Sequence, residues 1–222
     1  MIVRSVSVLA ALALFTACDQ AADPAVRRSP AATATSGERP TIVFVGTSLT
    51  AGYGLDPDDA FPALIQRKID SAGLSYRVAN AGVSGETSAG AVRRIDWLLR
   101  QDPAVLVIET GANDALRGLS TDSLKANIQT IIDSARALSP PPKIVLVGMR
   151  AWPNYGFAYA RRFTRLYQDL ADKNDMPLVP FLLEDVAGED GMNQADGIHP
   201  TAAGQRRIAE TVWEVLKPVL KG

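Results

Sequence analysis

The stretch TIVFVGTSLT, residues 41–50, passes from five β-branched or aromatic residues into a polar turn that begins with a glycine. A short run of such residues bounded by a turn is typical of a strand buried on both faces of a sheet. Four further apolar runs follow, at residues 76–80, 105–109, 144–147 and 178–181. The sequence therefore predicts five strands.

The segments between these runs have the periodicity of amphipathic helices, with apolar residues three and four positions apart. Three such stripes are Phe61-Leu64-Ile65-Ile69, Val92-Ile95-Leu99 and Leu124-Ile128-Ile131-Ala135-Leu138. Two more helices are predicted around 160–171 and 201–216, with Gly73 closing the first helix of the chain and Thr201 capping the last. This alternation predicts an α/β fold, a three-layer α/β/α sandwich around a five-stranded parallel sheet. It leaves the order of the strands open.

Three polar, glycine-containing segments follow the first three predicted strands, at residues 46–54, 81–87 and 111–114. In an open parallel sheet, ligands bind outside the carboxyl ends of the strands. The sequence therefore predicts a functional site at this edge of the sheet.

Composition and charge exclude several classes of protein. The chain has 222 residues, 47% of them hydrophobic, and a formal net charge of −1. These values fit one globular domain, predicted at 41–222, and argue against a nucleic-acid partner, which would require a broad electropositive surface. Three arginines, Arg161, Arg162 and Arg165, have the spacing of a solvated helix face.

The amino terminus, residues 1–18, is predicted to be a secretory signal. It has one cation, Arg4, and an apolar run at 6–17 that is too short to span a bilayer. The run ends in FTAC, which resembles a bacterial lipobox and predicts lipidation of Cys18, the only cysteine; an unmodified cysteine in a cleaved signal is the alternative. Residues 19–40, rich in Ala, Thr, Pro and Ser, are predicted to be a flexible linker. The protein is thus expected to be exported to the periplasm and anchored to a membrane as a lipoprotein.

The single histidine, His199, is the natural candidate for a general base near neutral pH. Asp196 lies three positions upstream, and Pro200 biases the pair towards a turn before the last helix. A lone histidine with a structural role is the alternative. A metal site would need further ligands, and no other histidine or available cysteine exists, so no metal centre is expected.

A nucleophile for this base is predicted at Ser48, in the turn that follows the first strand. A serine there is held rigidly, and its backbone N–H can donate to an oxyanion. The turn is not a Gly-x-Ser-x-Gly elbow, because position 50 is Thr50. Ser84 is the rival nucleophile, although its Gly82-Val83-Ser84-Gly85 setting favours a backbone turn.

Four short motifs occur in an order that resembles the SGNH or GDSL-like hydrolases, in particular their periplasmic thioesterase/lysophospholipase/arylesterase branch. They are Gly46-Thr47-Ser48-Leu49, the segment 80–87 with Gly82, Gly111-Ala112-Asn113-Asp114, and Asp196-x-x-His199. The resemblance covers nearly everything from 41 to 216. The sequence departs from the family motif at Thr47, where the family has Asp. This difference is expected to change local hydrogen bonding and not the catalytic residues.

The resemblance implies a flavodoxin-like sheet and a catalytic triad of Ser48, Asp196 and His199. It also implies an oxyanion hole made of the N–H groups of Ser48 and Gly82 with the Asn113 amide. The expected activity is hydrolysis of carboxylic esters through an acyl-enzyme on Ser48, without a cofactor, on acyl or aryl esters, thioesters or lysophospholipids. Two alternatives remain: a carbohydrate O-deacetylase with the same triad, and a lipid-anchored binding protein without turnover.

Several residues have weaker assignments. The resemblance places the loop at 152–157 beside the substrate pocket, with Asn154 and Tyr155 as candidate lining residues. Glu109 is expected to be structural, and Asp114 to serve as a turn or cap residue. The two tryptophans Trp97 and Trp213 are expected mostly in the core. The natural substrate and the oligomeric state do not follow from the sequence.

Overall fold

A computed structural model describes residues 39–222, in which five parallel strands form a single sheet. The strands are β1 Thr41–Gly46, β2 Arg77–Gly82, β3 Val105–Glu109, β4 Lys143–Val147 and β5 Leu178–Val179, in the order β2-β1-β3-β4-β5. The predicted five-stranded parallel sheet is confirmed, although the last strand has two residues where four were expected. The predicted signal, the Cys18 lipidation site and nearly all of the linker lie outside the described residues.

Seven α-helices connect and cover these strands in the described part of the chain. They are α1 Ser48–Ala51, α2 Phe61–Ser71, α3 Ser88–Leu99, α4 Ala112–Leu116, α5 Thr121–Arg136, α6 Phe157–Asn174 and α7 Ala202–Lys221, with short 3-10 helices at Pro57–Asp59 and Pro153–Tyr155. Helix α5 packs against α3 and α6, and α2 packs against α7. The two groups enclose the sheet and form the predicted three-layer sandwich.

Two predicted helix ends are confirmed by their capping geometry. Thr201 is the N-cap of α7, and its side chain accepts a hydrogen bond from the Gly204 N–H. Gly73 follows α2 with φ +66°, a left-handed conformation that glycine adopts without strain. Both ends therefore follow from local sequence.

The hydrophobic core lies on both faces of the central strands. The side chains of β1 and β3 are fully buried, whereas those of the edge strand β2 are partly exposed. Residues Glu38–Gly222 form one compact unit that contains every described strand and the whole core cluster. This segment is therefore expected to fold by itself.

One of the two tryptophans that were expected mostly in the core lies on the surface of the described part of the chain. Trp97 is 59% exposed on α3, whereas Trp213 is partly buried against the core, so the core assignment was wrong for Trp97. Arg161, Arg162 and Arg165 are exposed on α6, as predicted. Within residues 39–222, no helix is both long and apolar enough to cross a membrane.

Candidate active site

Ser48 is held at the carboxyl edge of the sheet by the turn that joins β1 to α1. Thr47 is the N-cap of α1, and its hydroxyl accepts a hydrogen bond from the Leu49 N–H. Ser48 is the first helical residue, a position whose backbone N–H has no acceptor within the helix. A β-carbon at Gly46 would lie 1.9 Å from the Thr50 hydroxyl, so only glycine fits where the strand enters the turn.

A buried carboxylate beneath the turn fixes its geometry. Glu109, the last residue of β3, accepts hydrogen bonds from the Thr47 N–H at 2.7 Å and from the Thr50 hydroxyl at 2.8 Å. The Thr47 hydroxyl lies 3.0–3.1 Å from its two oxygens. Burial raises the pKa of Glu109, and the hydrogen bonds from the turn partly oppose this shift. Thr47 therefore makes hydrogen bonds at the position where the family has Asp, and Glu109 has the structural role expected for it.

The loop before α7 brings His199 and Asp196 to Ser48. The His199 Nε2 lies 3.0 Å from the Ser48 Oγ, and its Nδ1 lies 2.6 Å from an Asp196 carboxylate oxygen. The other oxygen of Asp196 accepts hydrogen bonds from the backbone N–H groups of Ile198 and His199. The hydrogen bond from the His199 ring, followed by those from the two backbone groups, holds the pKa of Asp196 well below its ordinary value.

Two further residues, which the sequence analysis did not identify, hold the imidazole in position. The Tyr53 ring packs on the His199 ring with centroids 4.5 Å apart. Gln194 donates from its side chain to the Tyr53 carbonyl at 2.7 Å and from its backbone N–H to the His199 carbonyl at 2.7 Å. The only sequence signal for Tyr53 is an aromatic residue between Gly52 and Gly54 in the turn after Ser48.

The candidate oxyanion donors only partly match those implied by the resemblance. Asn113 lines the pocket with Ser48, and its amide donates to the Glu86 carbonyl at 3.0 Å. The Gly82 N–H donates to the Asn80 side chain at 2.9 Å, and Gly82 does not line the pocket. Gly85 does line it, in a left-handed turn with φ +77°.

The physical reason for this difference is the length of β2. The strand continues to Gly82, which pairs in register with Gly46 inside the sheet. A β-carbon at Gly82 would lie 2.3 Å from the Ala51 backbone nitrogen, so this glycine serves close packing of α1 on β2. The segment that reaches the pocket begins two residues later, with Ser84 and Gly85.

Asp114, next to Asn113, supports the segment that contains Gly85. It is buried and accepts hydrogen bonds from the Ser88 N–H at 2.8 Å and the Ser88 hydroxyl at 2.6 Å, at the start of α3. Asp114 therefore caps a helix, as expected. Arg94 binds the Glu86 carboxylate with a shortest distance of 2.6 Å and also donates to the Gly46 carbonyl, which ties this segment to β1.

A cavity of about 260 Å³ opens beside Ser48 and His199. Its walls are largely apolar, with Leu49, Leu116, Met149, Trp152, Leu183 and Ile198 among them. Asn154 and Ser84 also line it. Tyr155 does not line it: its ring packs against Gly118 and its hydroxyl donates to the Leu116 carbonyl at 3.2 Å. The structure therefore places Tyr155 outside the pocket lining, as a brace between two loops.

The arrangement defines a class of protein, an α/β sandwich with a Ser-His-Asp hydrogen-bonded chain beside an apolar pocket. In residues 39–222, no group of three or more histidine, cysteine or acidic side chains could hold a metal ion. The chain belongs to the GDSL-like lipase/acylhydrolase family, which matches residues 44–207. It is an enzyme of the SGNH/GDSL esterase type.

Similar proteins agree with this membership. The chain is 45% identical to the esterase TesA of Pseudomonas aeruginosa over 181 residues, which cover 81% of this chain and 89% of that protein. It is 34% identical to a protein of Escherichia coli named thioesterase 1/protease 1/lysophospholipase L1, over 81% of this chain and 85% of that one.

Solved structures show the same fold. A crystal structure of TesA superposes with a TM-score of 0.76 at 44% identity, over 80% of this chain and 98% of that one. The psychrotrophic esterase EstA from a Pseudoalteromonas species superposes with a TM-score of 0.77 at 32% identity, over 82% of this chain and 99% of that one. These chains correspond almost wholly to the sandwich described above.

Proposed function

We propose that the protein hydrolyses carboxylic esters by acyl transfer through Ser48. The observation that carries this proposal is the hydrogen-bonded chain from the Ser48 Oγ through His199 to Asp196, with distances of 3.0 and 2.6 Å. In the first step His199 Nε2 takes the hydroxyl proton while the Ser48 Oγ forms a bond to the ester carbonyl carbon, and the electron pair of the C=O π bond moves onto the oxygen to give an oxyanion. That electron pair re-forms the C=O bond when the leaving group departs. His199 then gives that proton to the departing alkoxide as its bond to the carbonyl carbon breaks. Water repeats the sequence on the acyl-enzyme and releases the acid.

Asp196 acts on the imidazole and does not touch the substrate. Its carboxylate accepts the Nδ1–H of His199, which selects the tautomer with a free Nε2 lone pair facing Ser48. Its lowered pKa keeps it charged throughout the neutral range. This charge stabilises the imidazolium that forms during each proton transfer.

Three donors are proposed for the oxyanion: the backbone N–H of Ser48, the backbone N–H of Gly85, and the amide of Asn113. The position of Ser48 at the start of α1 and the shared pocket lining of all three residues support this set. Gly85 replaces Gly82 in the set because the Gly82 N–H is already hydrogen-bonded to Asn80. Such donors act where negative charge develops, and removing one typically lowers kcat by about 10²–10³.

The apolar walls of the pocket support acyl or aryl esters as substrates, with thioesters and lysophospholipids as further members of the same class. Removal of acetyl groups from carbohydrate is the second enzymatic candidate, because it requires the same three residues with a smaller acyl group. A lipid-anchored binding protein without turnover is the third reading, and the spacing of Ser48 and His199 argues against it.

We also propose export to the periplasm and lipidation at Cys18, on the basis of the apolar run at 6–17 and the FTAC sequence that ends it. A palmitate analogue should label the full-length protein and should not label Cys18→Ala. A wild type that takes up no label would refute lipidation at Cys18 and leave only the proposal of export.

The test of the esterase proposal uses the segment from Arg39 onward with p-nitrophenyl esters from acetate to palmitate. A chelator is present throughout, and Ser48→Ala is assayed in parallel. Turnover by the wild type and its loss in Ser48→Ala are expected, and the preferred chain length measures the depth of the pocket. Turnover that persists in Ser48→Ala would remove Ser48 as nucleophile, whereas an inert wild type would favour the deacetylase or binding reading.

A further inference from the structure

The large apolar side chains that are exposed in residues 39–222 gather at the mouth of the active-site pocket. All but one of them lie in segments at the carboxyl edge of the sheet or in the His199 loop. Trp97 on α3 is the exception. Four of the group, Tyr53, Leu116, Trp152 and Ile198, line the pocket itself. Exposed apolar side chains grouped around one pocket mark a contact with a partner, a ligand or a membrane.

A cationic groove adjoins this apolar rim along α6. Its lining includes Phe157, Arg161, Arg162 and Arg165 and contains no acidic side chain. Phe157 is 74% exposed and lies one helical turn from Arg161, on the same side of α6. In the described part of the chain, Arg165 pairs with Asp169 at 3.5 Å, whereas Arg161 and Arg162 make no ion pair. Their charges are therefore available to an anionic partner.

The groove and the pocket share a wall. Arg150 and Ala151, which follow β4, line both cavities, and Trp152 beside them is 67% exposed. Arg150 is itself paired with Glu184 at 3.1 Å. The exposed aromatic residues, the arginines of α6 and the entrance to the site thus form one continuous face of the molecule.

We propose that this face docks on an anionic lipid surface through Trp152, Phe157, Arg161 and Arg162. Aromatic side chains favour the boundary between headgroups and acyl chains, and arginine guanidinium groups bind anionic headgroups. Charge complementarity and the solvent-exposed rings together favour a membrane over a protein as the occupant. Docking in this way presents the pocket mouth to esters held in the bilayer, a consequence that rests on the proposed function, although the docking itself does not.

The experiment is co-sedimentation of the segment from Arg39 onward with vesicles of phosphatidylglycerol and phosphatidylcholine, and with vesicles of phosphatidylcholine alone. Binding is expected to the anionic vesicles. The test variant is Phe157→Ala/Arg161→Glu/Arg162→Glu. Each arginine near such a surface strengthens binding about fivefold, so the test variant should bind at least about 25-fold more weakly.

The chain offers a matched control on α3. The variant Arg93→Glu/Trp97→Ala/Arg100→Glu removes an exposed aromatic residue and reverses two exposed arginines, with the same change in net charge, on a helix face away from the pocket. This control should bind anionic vesicles as the wild type does. An equal loss in the control, no binding by the wild type, or equal binding to pure phosphatidylcholine would each overturn the proposal.

Hydrolysis of p-nitrophenyl acetate, a soluble ester, separates the docking proposal from the proposed function. Both triple variants should keep wild-type turnover of this substrate, because none of the altered residues lines the active-site pocket. Vesicle binding by a wild type that hydrolyses no ester would refute the proposed function and leave the docking intact. Ester turnover by a wild type that binds no vesicles would refute the docking and leave the proposed function intact.

Discussion

Replacing Glu109 tests how a buried carboxylate holds the serine turn in place. One carboxylate oxygen accepts from the Thr47 N–H at 2.7 Å and the Thr50 hydroxyl at 2.8 Å, and the Thr47 hydroxyl lies 3.0 Å from this oxygen and 3.1 Å from the other. In Glu109→Gln the amide oxygen can take the first position and the amide nitrogen the second, where it donates to the Thr47 hydroxyl. The Thr47 N–H and both hydroxyl groups then keep a hydrogen-bond partner and no charge is buried, while the second N–H of the amide gains no acceptor among these groups.

The pH dependence follows from the raised pKa of Glu109. A carboxyl whose pKa rises on folding binds its proton more tightly in the folded state. Its contribution to stability is therefore complete below the ordinary value of 4.5 and is lost as the pH rises through the folded value. The stability of the wild type relative to that of Glu109→Gln should consequently fall as the pH rises above 4.5, because glutamine does not titrate.

Glu109→Leu is the contrasting variant, since the leucine side chain has a similar bulk and carries no hydrogen-bond acceptor. It leaves the Thr47 N–H and two hydroxyl groups buried without an acceptor, and an unsatisfied buried group costs about 1–3 kcal/mol. We expect a loss of about 3 kcal/mol or more in the free energy of unfolding. Release of the turn also displaces Ser48, and a shift of about 1 Å typically lowers the rate about 10²-fold.

Urea unfolding at a series of pH values above 4.5, together with kcat/KM on p-nitrophenyl acetate, measures both effects. Glu109→Gln should stay within about threefold of wild-type turnover, a difference below 1 kcal/mol. The reasoning fails if glutamine destabilises the protein as much as leucine does, because the amide would then not reproduce the contacts. It also fails if the stability of the wild type rises relative to that of Glu109→Gln as the pH increases.

Three further substitutions test the site and its support. Asn113→Ala should keep the fold and lower kcat by about 10²–10³, and unchanged turnover would remove Asn113 from the oxyanion hole. Asp196→Asn should lower kcat by roughly 10⁴, because an amide favours the wrong tautomer of His199; near-wild-type kcat would show that Asp196 does not orient the ring. Asp114→Ala leaves the Ser88 N–H and hydroxyl without their acceptor and should cost about 1–3 kcal/mol by thermal unfolding, whereas an unchanged Tm would argue against a capping role.

Much of the site could be predicted from sequence because its chemistry is carried by short motifs. Ser48 follows a buried strand, and Asp196 and His199 lie three residues apart in a loop, so local pattern marks them as candidates. The structure brings Ser48 and His199 together across 151 positions of the chain. No sequence periodicity encodes this spatial contact. It was predicted because a histidine base requires a nucleophile beside it, and because the motifs resemble those of a known family.

The assignment of Gly82 shows where motif reading stops. The segment 80–87 contains two glycines, and sequence alone does not tell which one ends the strand and which one faces the pocket. Two observations decide this: Gly82 pairs with Gly46 in the sheet, and its backbone N–H already donates to the Asn80 side chain, so that N–H is not free for a ligand. The exposure of Trp97 is a similar case, since an aromatic residue on an amphipathic helix can lie on either face.

By itself, then, the sequence determined the alternation of strands and helices and the class of chemistry, and it predicted the triad of the proposed mechanism, because these rest on periodicity and on short motifs within a few positions of the chain. Tertiary structure alone decided the strand order, the packing of Tyr53 on His199, the position of Glu109 beneath the serine turn, and the collection of exposed aromatic residues around the pocket. The physical reason is that these features arise where the carboxyl ends of adjacent parallel strands meet. Residues far apart in the chain become neighbours there only once the sheet has formed.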